Sequence, residues 1–197
     1  MKFVLASNNI KKLKEMREIL SELGLEVISQ AEAGVNIEVE ETGSTFEENA
    51  VLKATAVMEA TGLPAVADDS GLMVDALGGE PGIYSARYGG EECKTDAERI
   101  EFLLRNMEDT DNRSASFVSM IACVFPDGRR IVTKGECAGL ILKEPRGSGG
   151  FGYDPVFYLP EFGVTMAEMS AEEKNKISHR AKALNNLKEE LKRIYTI

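Results

Sequence analysis

The sequence predicts an α/β chain with a mixed sheet. Two observations carry this reading. The first third of the chain alternates short apolar runs with segments of helical periodicity, and the middle holds a strong hairpin signal between two long apolar-rich stretches. Lys2 to Ala6 is short and apolar and reads as a first strand. Ile10, Leu13, Arg17, Leu20 and Leu23 then fall at helical spacing, with Leu13 and Leu20 marking the apolar face and Gly24 stopping the run. Leu25 to Ile28 reads as a second strand. A second helix is predicted from about Thr45 to Thr61, opened by the capping pattern Thr45-x-x-Glu48 and closed by Gly62. Leu63 to Ala67 follows as a buried strand, broken by Asp68-Asp69-Ser70-Gly71.

Further on, residues 94–107 read as a helix, with Ile100, Leu103, Leu104 and Met107 on its apolar side. Ser114 to Phe125 and Arg129 to Cys137 flank Pro126-Asp127-Gly128, a hairpin turn. Leu140 to Lys143 reads as a further strand. The last helix starts at about Ser178 and carries a stripe of Leu184, Leu187, Leu191 and Ile194.

Composition narrows the function classes. The 197 residues suit one domain, or one domain with two lobes, and a hydrophobic share of 43% supplies a core. The net charge of −10 argues against binding polymeric nucleic acid or anionic lipid. It leaves room for a small anion, which needs only a few local cations and a metal. No apolar run reaches the roughly 18 residues that span a bilayer. The N-terminus is too short for a secretory signal. Cys93, Cys123 and Cys137 lack CxxC spacing, so a reducing cytoplasm is the expected compartment.

Five segments can carry chemistry. Ser7-Asn8-Asn9-Ile10-Lys11-Lys12 joins a strand to a helix, where backbone N–H groups and the helix dipole favour phosphate. An ordinary N-cap with solvated lysines has the same pattern. Glu38-Val39-Glu40-Glu41-Thr42-Gly43 ends a strand in acids that suit magnesium or a plain surface turn. In the helix after it, Asn49 and Lys53 share a face. Asp68 and Asp69 are adjacent carboxylates beside apolar residues, costly to bury unless paired or metal-bound. Asp-Ser-Gly is equally a common turn. Gly147 to Pro155 sets four glycines beside Phe151 and Tyr153, whose flat faces suit stacking on a base. No Lys-Ser or Lys-Thr follows, so it is not a Walker loop. Finally, Lys174 and Ser178-His179-Arg180 offer donors at a helix start, with His179 the only histidine.

Taken in order, these segments resemble the inosine triphosphate pyrophosphatase family. The resemblance rests on Ser7-Asn8-Asn9-x-x-Lys12, Glu40-Glu41-Thr42-Gly43-x-Thr45-Phe46-x-Glu48-Asn49, Ala67 to Leu72, Pro81 to Tyr88, Gly149 to Pro155 and Lys174-x-x-x-Ser178-His179-Arg180. It covers almost the whole chain. One departure is Ser7-Asn8, where many members carry Thr-Gly; serine keeps the hydroxyl.

The resemblance implies an elongated mixed β-sheet flanked by helices, with two lobes around a central nucleotide-binding cleft, in one domain spanning 1–197. It implies a homodimer and hydrolysis of the deaminated purine triphosphates ITP, dITP and XTP to the monophosphate and pyrophosphate. It implies Mg2+ held by Glu40 and Asp69, with Glu41 open as an alternative to Glu40, and Asp69 as the group that activates water. It further implies substrate contacts from Ser7, Asn8, Asn9, Ile10, Lys11, Lys12, Lys53, Ser70, Phe151, Gly152, Tyr153, Asp154, Lys174, His179 and Arg180. Donors on His179 and Arg180 are expected to meet the purine 6-oxygen. Two rival readings are a related pyrophosphatase of the Maf type and a non-catalytic nucleotide sensor. The Phe-Gly-Tyr-Asp and Ser-His-Arg segments favour the purine family over the first, and the metal acids favour catalysis over the second.

Overall fold

The computed structural model describes residues 2–22 and 24–195. Leu23, placed on a helix face by its spacing, lies outside the described residues. A seven-stranded mixed sheet runs in the order β2-β1-β3-β4-β5-β6-β7 and is flanked by helices. The strands are β1 (Lys2–Leu5), β2 (Glu26–Ser29), β3 (Ala65–Val74), β4 (Ser114–Val124), β5 (Arg130–Ile141), β6 (Phe157–Leu159) and β7 (Val164–Thr165). The helices are α1 (Ile10–Ser21), α2 (Phe46–Thr61), α3 (Asp96–Asn106), α4 (Ala171–Ile177) and α5 (His179–Tyr195). β1 pairs in parallel with β2 and β3, whereas β6 is antiparallel to β5 and β7. This matches the predicted change from strand–helix alternation to hairpins.

The chain forms two compact units. The first gathers the chain up to Asp69, Ser119–Gly135 and the chain from His179; the second holds Ser70–Val118 and Glu136–Ser178. In the first unit, Phe3, Leu5, Met16, Leu20, Val66, Leu184, Leu187 and Leu191 share one apolar core. Val4, Ala50, Ala54, Val57, Ala65 and Ala67 form a second core, largely alanine and valine. In the second unit, Leu72, Ile100, Leu103, Met107, Phe117, Val156 and Phe157 pack together.

The helix ends follow their signals. Thr45 caps α2 through its hydroxyl, which accepts from the Glu48 amide at 3.1 Å, and Gly62 closes the helix at φ 65°. Glu48 does not complete the reciprocal capping box. Its carboxylate accepts from the Ser44 amide at 2.6 Å and hydroxyl at 2.8 Å, one residue earlier than the pattern implies. At the hairpin, the Phe125 amide donates to Arg129 O at 2.9 Å.

Several expectations need correction. β3 continues through Asp68-Asp69-Ser70-Gly71 to Val74 instead of breaking there. Both acids are paired with cations, so they can be strand residues. Leu140 does not begin a separate strand; it ends β5, which runs on to Ile141. On α1 the buried face is Met16, Ile19 and Leu20, with Leu13 packed beside it, while Ile10 is 81% exposed at the first turn. Ile194 is also exposed, since α5 leaves the core after Leu191. The short β6, β7 and α4 carry too few residues for a periodic signal and were not expected.

Candidate active site

In the first unit, two buried charge clusters form on the two faces of β3. Successive strand side chains point to opposite sides. Asp68 therefore meets one set of cations and Asp69 another.

Asp69 and Glu41 converge on α2. Lys53 Nζ donates to Asp69 Oδ1 at 2.9 Å and to Glu41 Oε1 at 2.7 Å. Burial opposes a charged Lys53, but Asp69 and Glu41 outweigh it and raise its pKa. Burial raises Asp69 above the usual aspartate range; Lys53 opposes that, and Glu41 adds to it. Asp69 Oδ2 is buried and has no hydrogen-bond partner. Glu40 is exposed, and Glu41 is the acid of the pair that reaches Lys53. The turn bearing both acids is pinned by α2: Asn49, fully buried, accepts from the Gly43 amide at 2.8 Å.

Asp68 is buried among cations. Its Oδ2 lies 2.8 Å from Lys12 Nζ and 3.4 Å from Arg180 Nη2, and its Oδ1 accepts from the Ser119 hydroxyl at 2.6 Å. Burial opposes its ionisation, yet Arg180 and Lys12 hold its pKa well below the usual value. Arg180 also pairs with Glu15 on α1. It is 2% exposed. The donors expected to meet a purine oxygen face Asp68 and Glu15 in this structure. Sequence reasoning missed Glu15 and Ser119, whose partners are remote in the chain.

The loop from Ser7 to Lys12 presents Asn8, Asn9, Ile10 and Lys11 as exposed residues and Lys12 as half-buried. Asn9 caps α1, its Oδ1 accepting from the Lys11 amide at 3.0 Å and the Lys12 amide at 3.1 Å. These two N–H groups are thus satisfied by a side chain that an anion would have to displace. The Asn9 amide in turn donates to Ser7 Oγ at 3.2 Å. His179, the first residue of α5, is buried and sits where β5 comes closest: a Cβ at Gly135 would overlap the His179 carbonyl oxygen.

In the second unit, Lys174, Asp154 and Phe151 form one assembly. Lys174 Nζ lies 2.8 Å from Asp154 Oδ2 and 4.7 Å from the Phe151 ring centroid. The same carboxylate oxygen accepts from the Phe151 amide at 2.9 Å. Gly152 donates its amide to Asp96 Oδ2 at 2.8 Å, which ties the loop to the start of α3. Ser70 is half-buried at the first position of this unit. Tyr153 departs from expectation. It is 4% exposed within the core, and its hydroxyl donates to Ser85 O at 2.8 Å. It anchors the loop, and Phe151 alone keeps a partly open ring.

The comparisons with known proteins agree with one another. A model of the Ham1 family matches residues 3–190. A dITP/XTP pyrophosphatase of Thermus thermophilus is 52% identical over 194 residues, covering 98% of this chain and 92% of the relative. One from Desulforamulus reducens is 51% identical over 197 residues, covering 99% and 98%. Among solved structures, a HAM1 protein of Coxiella burnetii is similar with a TM-score of 0.90 at 47% identity, covering 98% of this chain and 99% of that one. The Ham1 protein of Staphylococcus aureus gives a TM-score of 0.88 at 47% identity, covering 98% of each.

Proposed function

The chain belongs to the Ham1 family, and from that membership we propose that it is a nucleoside-triphosphate pyrophosphatase hydrolysing dITP, XTP and ITP to the monophosphate and pyrophosphate. The observation that carries the reading to particular atoms is the pairing of Asp69 and Glu41 on one ammonium, with Asp69 Oδ2 left without a hydrogen-bond partner. Two carboxylates and an orphan buried oxygen suit a divalent cation that completes its shell with water and phosphate. Among the described residues no three His, Cys, Asp or Glu side chains group as a metal cage. A cation bound at two acids therefore draws on the substrate for further ligands. Asp69 and Glu41 would hold magnesium, with Glu40 as the neighbouring acid. Magnesium, when bound, neutralises phosphate charge and acidifies water.

The reaction is attack of water on the α-phosphorus, with pyrophosphate as leaving group. Asp69 takes the proton from that water. Lys12 and Lys53 offset charge on the phosphates, and Lys53 has to share its ammonium between Asp69 and substrate. Asn9, Ser7 and the start of α1 supply polar groups to the phosphate chain. Within the second unit, Phe151 offers a ring that suits stacking on a base, with Lys174 and Asp154 fixing its loop. Asp96 and Tyr153 hold that loop from behind.

The proposal extends to a homodimer in a reducing cytoplasm. Cys93, Cys123 and Cys137 are buried thiols, which suits that compartment. Among the described residues no helix is long and apolar enough to cross a membrane.

Pyrophosphate release from dITP, XTP, ITP, GTP, dTTP and UTP, with and without magnesium, tests the reading. Release from the deaminated purines, abolished by a chelator and restored by magnesium, is the expected outcome. Tight nucleotide binding without turnover would instead make the protein a sensor.

A further inference from the structure

We propose that Asp68 is the positioning residue of Lys12, and that Ser119 orients Asp68 for that task. The inference rests on the pyrophosphatase reading of the same site. Lys12 stands in the first turn of α1, on a flexible four-carbon stem that otherwise samples many rotamers. Its Nζ lies 2.8 Å from Asp68 Oδ2. A lysine ammonium has three donors, so one directed at Asp68 leaves two for phosphate. The lysine side chain is 19% exposed, which keeps the ammonium within reach of an anion while its stem is covered.

Asp68 can serve as this anchor because every part of it is fixed. It lies on β3, in parallel pairing beside β1, and its side chain is fully buried. The Ser119 hydroxyl, from β4, is also fully buried and donates to Oδ1 at 2.6 Å. That bond turns Oδ2 toward Lys12 and Arg180. Arg180 brings a second positive charge, so Asp68 keeps a counter-ion even when Lys12 shares its ammonium with an anion. Asp68, Glu15, Lys12 and Arg180 together carry no net charge. An incoming phosphate therefore meets an aimed cation without a surplus of buried acid beside it. Asp68 touches no reacting atom; it acts through Lys12.

The test measures pyrophosphate affinity by calorimetry, and kcat and KM for dITP, on the intact protein and on Asp68→Asn, Ser119→Ala, Lys12→Met and the Lys12→Met/Asp68→Asn pair. Asp68→Asn should weaken pyrophosphate binding and raise KM about tenfold, the lower end of what a hydrogen bond to a charged group is worth, with a smaller change in kcat. Ser119→Ala should move both in the same direction by less. The pair should be no worse than Lys12→Met alone, because an anchor without its lysine has nothing to aim. Additive losses, or a lowered melting temperature with unchanged pyrophosphate affinity and KM, would overturn the role. Should Asp68→Asn not fold, Ser119→Ala decides: an unchanged KM rejects the proposal. An inactive wild-type protein would instead reject the underlying reading of the function.

Discussion

Lys53 Nζ lies 2.9 Å from Asp69 Oδ1, so the cation of α2 already occupies one oxygen of the carboxylate proposed to accept a proton. The other oxygen is buried without a partner. This division of labour makes a specific demand. Asp69→Asn keeps the shape and the Lys53 contact but cannot take a proton. The variant should fold with a melting temperature close to the parent and lose nearly all pyrophosphate release from dITP. Turnover near the parent rate would remove Asp69 from its role.

Gly135 gives a prediction about a residue pressed against the start of α5. A Cβ there would overlap the His179 carbonyl oxygen and lie 2.5 Å from the Ala183 amide nitrogen. Both clashes are with backbone, which cannot step aside as a side chain can. Gly135→Ala should push the start of α5 away from β5, at a cost of about 1–3 kcal/mol. His179 and Arg180 travel with it. Both stability and KM for dITP should therefore worsen, read by thermal melting and steady-state kinetics. A silent substitution would mean that α5 is free to shift.

Much of the fold was legible because it rests on local signals. Gly62, Thr45 and the Pro126-Asp127-Gly128 turn each act within four residues of themselves. The Asp68-Asp69 pair misled for a physical reason. Acids in sequence read as a solvated turn, and the partners that let β3 continue through them lie elsewhere: Arg180 is 112 positions from Asp68, and Ser119 is 51. Such partners carry no periodicity. Tyr153 and Phe151 likewise look alike as sequence, two aromatics among glycines. Only the contact of the Tyr153 hydroxyl with Ser85 O separates an anchor from a half-buried ring. That Glu41 reaches Lys53 and Glu40 stays exposed is likewise absent from the sequence pattern, because Lys53 lies on the following helix.

Glu48 ties acidity to the turn that carries Glu40 and Glu41. The Ser44 hydroxyl and amide both donate to its carboxylate and lower its pKa below the ordinary glutamate value of 4.5. For a lowered carboxylate, the contribution to stability is fully present above the unfolded-state value and is lost as pH falls through the folded one. Melting temperature followed from pH 6 downward should therefore decline more gently in Glu48→Gln than in the parent as pH drops below about 4.5, starting from a lower plateau. Parallel curves for the two proteins would exclude Glu48 from this linkage.

Arg180 supplies the sharpest contrast between a base-reading residue and a buried counter-ion. A residue that only touches the purine could be removed with little effect on folding. Arg180 instead lies between Asp68, whose side chain is fully buried, and Glu15, whose side chain is 17% exposed. Arg180→Ala takes a counter-ion from both Asp68 and Glu15 and opens a void where the guanidinium stood. Breaking a buried pair by removing one partner costs about 3–5 kcal/mol, and in a chain of this size each kcal/mol lowers the melting temperature by about 2–4 °C. A fall on the order of 10 °C is expected, with Arg180→Lys in between, because lysine restores the charge but not the two-sided fork. The triple change Arg180→Leu/Asp68→Asn/Glu15→Gln should regain part of the loss, since it removes the stranded charges along with their partner. If Arg180→Ala melts like the parent and alters only the ratio of ITP to ATP hydrolysis, the guanidinium reads the base and the buried ion pairs described here do not govern its role.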